Sequence, residues 1–100
     1  MEVTVGSIVE GKVTGITKFG AFVALPNGGT GMVHISELMK GRVEKVTDLL
    51  KEGDRIVVKV LNVDHQGKVK LSRKAAIVDG IPEGMSESFH GTKAQELLSK

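Results

Sequence analysis

From Ser7 to Thr17 the chain alternates with a period of two. Val9, Gly11, Val13 and Gly15 fall on one side, Ile8, Glu10, Lys12 and Thr14 on the other. That period belongs to a strand whose two faces meet different surroundings, not to a helix. The glycines tighten the constraint. An apolar face that alternates valine with glycine suits a strongly coiled sheet, because glycine lets the backbone bend and approach its neighbour.

Further along, the same period recurs in short pieces. Gly20 to Leu25 turns Ala21, Val23 and Leu25 inward and leaves Phe22 outward. Pro26-Asn27-Gly28-Gly29 marks a tight connection into Gly31-Met32-Val33-His34. Arg55 to Leu61 places Ile56, Val58 and Val60 inside, with Arg55, Val57 and Lys59 outside. After His65-Gln66-Gly67, a last strand buries Val69 and Leu71 and exposes Lys68, Lys70 and Ser72. The long connection from Ile35 to Asp54 carries short helical signals at Ser36-Glu37-Leu38-Met39 and Thr47-Asp48-Leu49-Leu50. Five short strands with one partly helical connection after the third predict an all-β fold. The expected form is a five-stranded antiparallel Greek-key barrel of the OB type. Closure also removes the exposed edges that an open sheet would carry.

A chain of 100 residues allows one domain. Residues 1–76 carry 12 basic and 8 acidic side chains, whereas residues 77–100 carry 2 basic and 4 acidic. Asp79-Gly80-Ile81-Pro82-Glu83-Gly84 is rich in breakers at the same boundary. The expectation is a folded domain over 1–76 and a polar, mostly flexible tail over 77–100. Thr92-Lys93-Ala94-Gln95 reads as a capping box that opens a short helix at 92–99, marginal at that length. The absence of cysteine excludes a disulfide framework and thiolate zinc sites. The apolar runs are too short to span a bilayer, and Met1-Glu2-Val3-Thr4 lacks the pattern of a cleavable signal. A cytoplasmic protein without a membrane partner is expected.

With no tryptophan or tyrosine, the chain has three rings of this kind, Phe19, Phe22 and Phe89, and the core must be filled by aliphatic side chains. If Ala21 and Val23 face the core, Phe22 cannot. Phe19 stands at the mouth of the same hairpin, either capping an open barrel end as core or standing outside. His34 ends the neighbouring strand, so Phe19, Phe22 and His34 can share one patch. Flat rings beside cations suit single-stranded nucleic acid, in which bases stack and phosphates pair with Lys and Arg. The cations available are Lys12, Lys18, Lys68, Lys70 and Arg73; Arg42, Lys45 and Lys51 in the long connection read as a solvated face. His34 has no nucleophile beside it in sequence, and His65 and His90 lack metal-ligand spacing, so neither catalysis nor a metal or cofactor is expected.

The ordered series Val5-Gly6-Ser7-Ile8-Val9-Glu10-Gly11-Lys12-Val13, Phe19-Gly20-Ala21-Phe22-Val23 and Gly31-Met32-Val33-His34-Ile35-Ser36-Glu37-Leu38 resembles the ribosomal S1 RNA-binding domain family. The likeness continues through Leu50-Lys51-Glu52-Gly53-Asp54 and Gly67-Lys68-Val69-Lys70-Leu71-Ser72, and spans residues 5–74. It implies a single-stranded RNA surface centred on Phe19, Phe22 and His34, with Asp64 and a basic residue at Lys68. Asp64 either accepts from a base or orients a cation, or it caps the turn before Gln66-Gly67. Lys68 stands where this family often has arginine, and lysine cannot stack or make a planar fork. The resemblance implies a non-enzymatic protein that binds messenger or ribosomal RNA, at the ribosome or in post-transcriptional control, and nothing in the sequence requires more than a monomer. The alternatives are an accessory domain of an RNA-processing enzyme, such as polynucleotide phosphorylase or an exoribonuclease, and a protein-interaction module on the same barrel.

Overall fold

The computed structural model of the chain describes residues 4–26, 28–39, 44–66 and 68–88. Its strands are β1 (Ile8–Thr17), β2 (Gly20–Ala24), β3 (Thr30–His34), β4 (Arg55–Val63) and β5 (Val69–Ser72), and a helix α1 (Arg73–Asp79) follows. Single 3₁₀ turns at Ile35–Glu37 and Val46–Asp48 occupy the long connection, where the helical signals lie. The expected helix at 92–99, Phe89, His90, Arg42, Asn27 and Gly67 lie outside the described residues.

The strands close in the order β1-β2-β3-β5-β4, with β4 pairing back onto β1. This is the OB-type barrel expected, with one departure from an all-antiparallel sheet. β3 and β5 pair in parallel, with Gly31 opposite Val69 and Val33 opposite Leu71. Parallel neighbours need a long crossover. The connection after β3 begins that crossover, and the β4–β5 hairpin completes it.

Inward parity holds almost throughout. Val13, Ala21, Val23, Val33, Ile56, Val58, Val60 and Leu71 are each at most 1% exposed. Leu38, Val46, Leu49 and Leu50 from the connection join the same core. Gly11 faces inward as expected, and a Cβ there would sit 2.2 Å from Cγ1 of Val23. Gly15 does not. The register of β1 on β2 slips between Val13 and Gly15, a bulge that leaves Thr14 over. Beyond it Ile16 turns to the core and Gly15 lies opposite the outward Phe22.

Two more positions read as exposed are covered. Val57 lies on the outer side of β4 and Ser72 ends β5, yet both are 0% exposed. The cause is the chain after β5. Ser72 caps α1, accepting from the N–H of Ala75 at 2.9 Å and donating its hydroxyl hydrogen to Glu37 at 2.6 Å. The boundary expected after Ala76 falls inside α1, and the segment beyond returns to β4. Because β5 pairs only with Lys59 to Val63, the start of β4 has a free edge on that side. Ser88 fills it by exchanging backbone hydrogen bonds with Arg55 at 2.9 and 3.1 Å. Next to it, the Glu87 carboxylate accepts from the N–H of Val57 at 2.9 Å and from Nε and Nη2 of Arg73 at 2.9 and 3.0 Å. Nη1 of Arg73 donates to the carbonyl of Leu38 at 2.9 Å. An ion pair of Lys59 with Asp79 and a bond from the Ser86 N–H to Glu10 complete the docking.

Three stability measurements check this packing by urea unfolding. Gly11→Ala drives a methyl into Val23 and is expected to cost about 1–3 kcal/mol. Gly15→Ala, whose Cβ meets only Phe22, at 3.6 Å from Cδ2 and 4.0 Å from Cβ, should change stability by about 0.5 kcal/mol or less. Arg73→Ala strips the buried Glu87 carboxylate of its cation and is expected to cost about 3–5 kcal/mol.

Candidate functional site

Among the described residues, the outward side chains of β2, β3 and β5 at Phe22, Thr30, His34 and Lys70 are exposed. The centre of this face follows from the ladder. Gly15, Phe22, Met32 and Lys70 stand opposite one another on β1, β2, β3 and β5, and Asn62 of β4 stands opposite Lys70. At about 4.8 Å per strand, the positions of Phe22 and Lys70 are about 10 Å apart. Phe22 is 41% exposed, a large fraction for a phenylalanine in mid-strand. Gly15 beside it offers no side chain to cover the ring. Phe22, Thr30, Gly31, Met32, Lys68 and Val69 together line an open depression of about 410 Å³ with a mostly apolar floor.

A second group lies at the end of the same face. Thr17 folds the β1–β2 turn by accepting at Oγ1 from the N–H of Phe19 at 3.1 Å and of Gly20 at 3.2 Å. The carbonyl of Phe19 accepts from the N–H of Ile35 at 2.7 Å, which brings the turn beside His34. Gly20 stands opposite His34, and a Cβ at Gly20 would lie 2.1 Å from the Val33 carbonyl oxygen. Only glycine permits that approach. Phe19 is 58% exposed, which decides between its two readings: it does not cap the core. Lys18 places Nζ 5.1 Å from the centre of the Phe19 ring, within cation–π range.

His34 ends β3 and caps the following 3₁₀ turn with its own ring. Nδ1 accepts from the N–H of Ser36 at 3.2 Å and lies 2.8 Å from the Ser36 hydroxyl oxygen. Asp64 is occupied locally. Its Oδ1 accepts from the N–H groups of Gln66 at 2.9 Å and Lys68 at 2.8 Å, and its own N–H donates to the Lys68 carbonyl at 2.9 Å. The carboxylate therefore fixes the turn that delivers Lys68, in the manner of an Asx turn.

The structure thus brings together Phe19, Phe22, His34, Lys18, Lys68 and Lys70 on one exposed face, with Lys12 at its border on β1, opposite Ala24. Arg73 is a correction. Its side chain is 6% exposed and clamped on Glu87 and Leu38, so it presents no charge to a ligand. Helix α1 begins at Arg73 and turns it away from the β5 face. Met32, Thr30 and Ser36 were not singled out from sequence. The first two follow from parity, because Gly31 and Val33 point inward. Ser36 leaves no pattern signal, since its part depends on where the His34 ring turns. Among the described residues no cluster of His, Asp and Glu fits a metal ion, and no helix is long and apolar enough to cross a membrane.

The model of the "S1 RNA binding domain" family matches residues 2–74. The chain is 60% identical over 76 residues to a polyribonucleotide nucleotidyltransferase of Listeria welshimeri, a match over 76% of this chain and 10% of that protein. YabR of Bacillus subtilis is 55% identical over 76% of this chain and 59% of its own length. The chain thus spans only a small part of the nucleotidyltransferases it matches. The solution structure of GSP13 from Bacillus subtilis superimposes with a TM-score of 0.71 at 39% identity, over 97% of this chain and 72% of that one.

The turn role of Asp64 has a direct check. Asp64→Asn keeps an acceptor at Oδ1 and should leave amide hydrogen exchange at Gln66 and Lys68 nearly unchanged. Asp64→Ala should accelerate exchange at both by about five- to ten-fold, the loss of a net hydrogen bond of about 1 kcal/mol. Equal exchange in the two variants would contradict the assignment.

Proposed function

The chain belongs to the S1 RNA-binding domain family, and from that premise we propose that its exposed β2–β3–β5 face binds single-stranded RNA without catalysis. The single observation that carries this is the juxtaposition of exposed Phe22 and Phe19 with His34, Lys18, Lys68 and Lys70 on one uncovered face. Bases stack on the rings, at about 1–3 kcal/mol each, and the lysines neutralise phosphates. Met32 adds a polarizable surface beside Phe22. Lys12 extends the track of charge along β1, and Asp64 serves by holding Lys68 in place. Lysine rather than arginine at position 68 gives charge without a planar fork, so base selectivity from that position is low.

The proposal extends to a monomer acting in the cytoplasm on messenger or ribosomal RNA, in translation or post-transcriptional control. The likeness to GSP13 over 97% of the chain, which takes in residues beyond 74, supports a free-standing protein of this kind. A second reading is favoured by the 60% identity to polyribonucleotide nucleotidyltransferase: the same surface then captures RNA for a larger enzyme whose catalysis lies elsewhere. Tagging the native locus and weighing the polypeptide that carries the tag separates the two.

The interface is tested by fluorescence anisotropy with a single-stranded RNA of about ten nucleotides, within the span one such barrel covers. Phe22→Ala is expected to weaken binding about ten-fold. Lys68→Ala should weaken it less and lower the slope of log K against log salt by about 0.7, one phosphate contact. Unchanged affinity in Phe22→Ala, or binding indifferent to salt, would refute the proposal.

A further inference from the structure

His34 is held in a way that decides what it can offer a ligand. The neutral imidazole carries one N–H, on either Nδ1 or Nε2. Here the backbone N–H of Ser36 donates to Nδ1 at 3.2 Å, and that bond requires an unprotonated nitrogen. The Ser36 hydroxyl lies 2.8 Å from the same atom and has a hydrogen to give. Two donors from one residue therefore meet on Nδ1, and the ring proton is left to Nε2. His34 is exposed, and the exchange of bonds with Ser36 is confined to the other edge of the ring.

We propose that Ser36 is a positioning residue that fixes His34 in the Nε2–H form, so that the ring presents a hydrogen-bond donor to RNA. The group received at Nε2 is then an acceptor oxygen, either of a base carbonyl or of a phosphate. The bonds to Ser36 also fix the ring's orientation, because Nδ1 is tied to the first turn of the 3₁₀ segment. A ring so held loses less freedom when a base or phosphate engages it. This inference rests on the RNA-binding reading for its ligand, but its structural half concerns the free protein.

Long-range ¹H–¹⁵N correlation of the histidine side chains in the full chain tests that half without RNA. In the wild-type protein His34 is expected to show an N–H-type Nε2 and an acceptor-type Nδ1. Protonated Nδ1, or an even mixture of the two forms, overturns the assignment. In Ser36→Ala the backbone donor stays and the hydroxyl donor goes, so the spectrum should shift toward a mixture, and Ser36→Thr should restore it. A Ser36→Ala spectrum identical to wild type would show that the hydroxyl positions nothing.

The ligand half is read by titrating the wild-type protein with oligouridine and with an abasic ribose-phosphate chain of the same length. A shift at Nε2 with both assigns the phosphate oxygen, and a shift with oligouridine alone assigns the base carbonyl. RNA binding that leaves Nε2 unmoved refutes the donor role while sparing the RNA-binding reading. No binding by either method refutes that reading and leaves the tautomer result standing. Affinity for oligouridine should fall about three- to ten-fold in Ser36→Ala, the scale of one net hydrogen bond, and recover in Ser36→Thr.

Discussion

A barrel closed from five short strands has an interior wide enough only for side chains. Half of each strand fills that interior, and among the described residues no second sheet covers the other half. The outward residues must be solvated, covered by the chain itself, or presented to something else. This chain does all three. Charged side chains occupy much of the outer surface, α1 and residues 86–88 cover the β4 flank, and the β2–β3–β5 face keeps its phenylalanines bare.

Bare rings follow from local geometry rather than from poor packing. The bulge at Thr14 brings Gly15, not a side chain, opposite Phe22. The approach of Gly20 to Val33 brings Phe19 beside His34. Both devices lie on the backbone, so the rings are placed without demanding interior volume. The lysines add charge at the rim of the same face, where salt screens them and where each contributes modestly. A surface built this way suits a flexible single strand, which several weak contacts, each tolerant of sequence, can hold.

Much of this was legible in the sequence because it depends on parity alone. Ala21 and Val23 inward fixed Phe22 outward, and the inward sets of β4 and β5 were readable the same way. Parity failed where a residue's surroundings come from elsewhere in the chain. Gly15 changed faces because a bulge carries no side-chain signature. Val57, Ser72 and Arg73 looked exposed because the groups that bury them come from up to 35 residues away in the chain. That Asp64 caps its own turn became visible only in the structure, where its Oδ1 accepts from the N–H groups of Gln66 and Lys68.

The short reach of β5 has a consequence for where the barrel ends along the chain. β5 stops at Ser72, so at the start of β4 the N–H and C=O groups on the side away from β1 belong to no strand of the barrel. Here the chain's own Glu87 and Ser88 occupy them. Any fragment ended at the edge of the family match, near residue 74, leaves that stretch as an unpaired strand edge, which is a template for self-association. In this chain the covered barrel therefore extends past the residues that match the family, as far as Ser88.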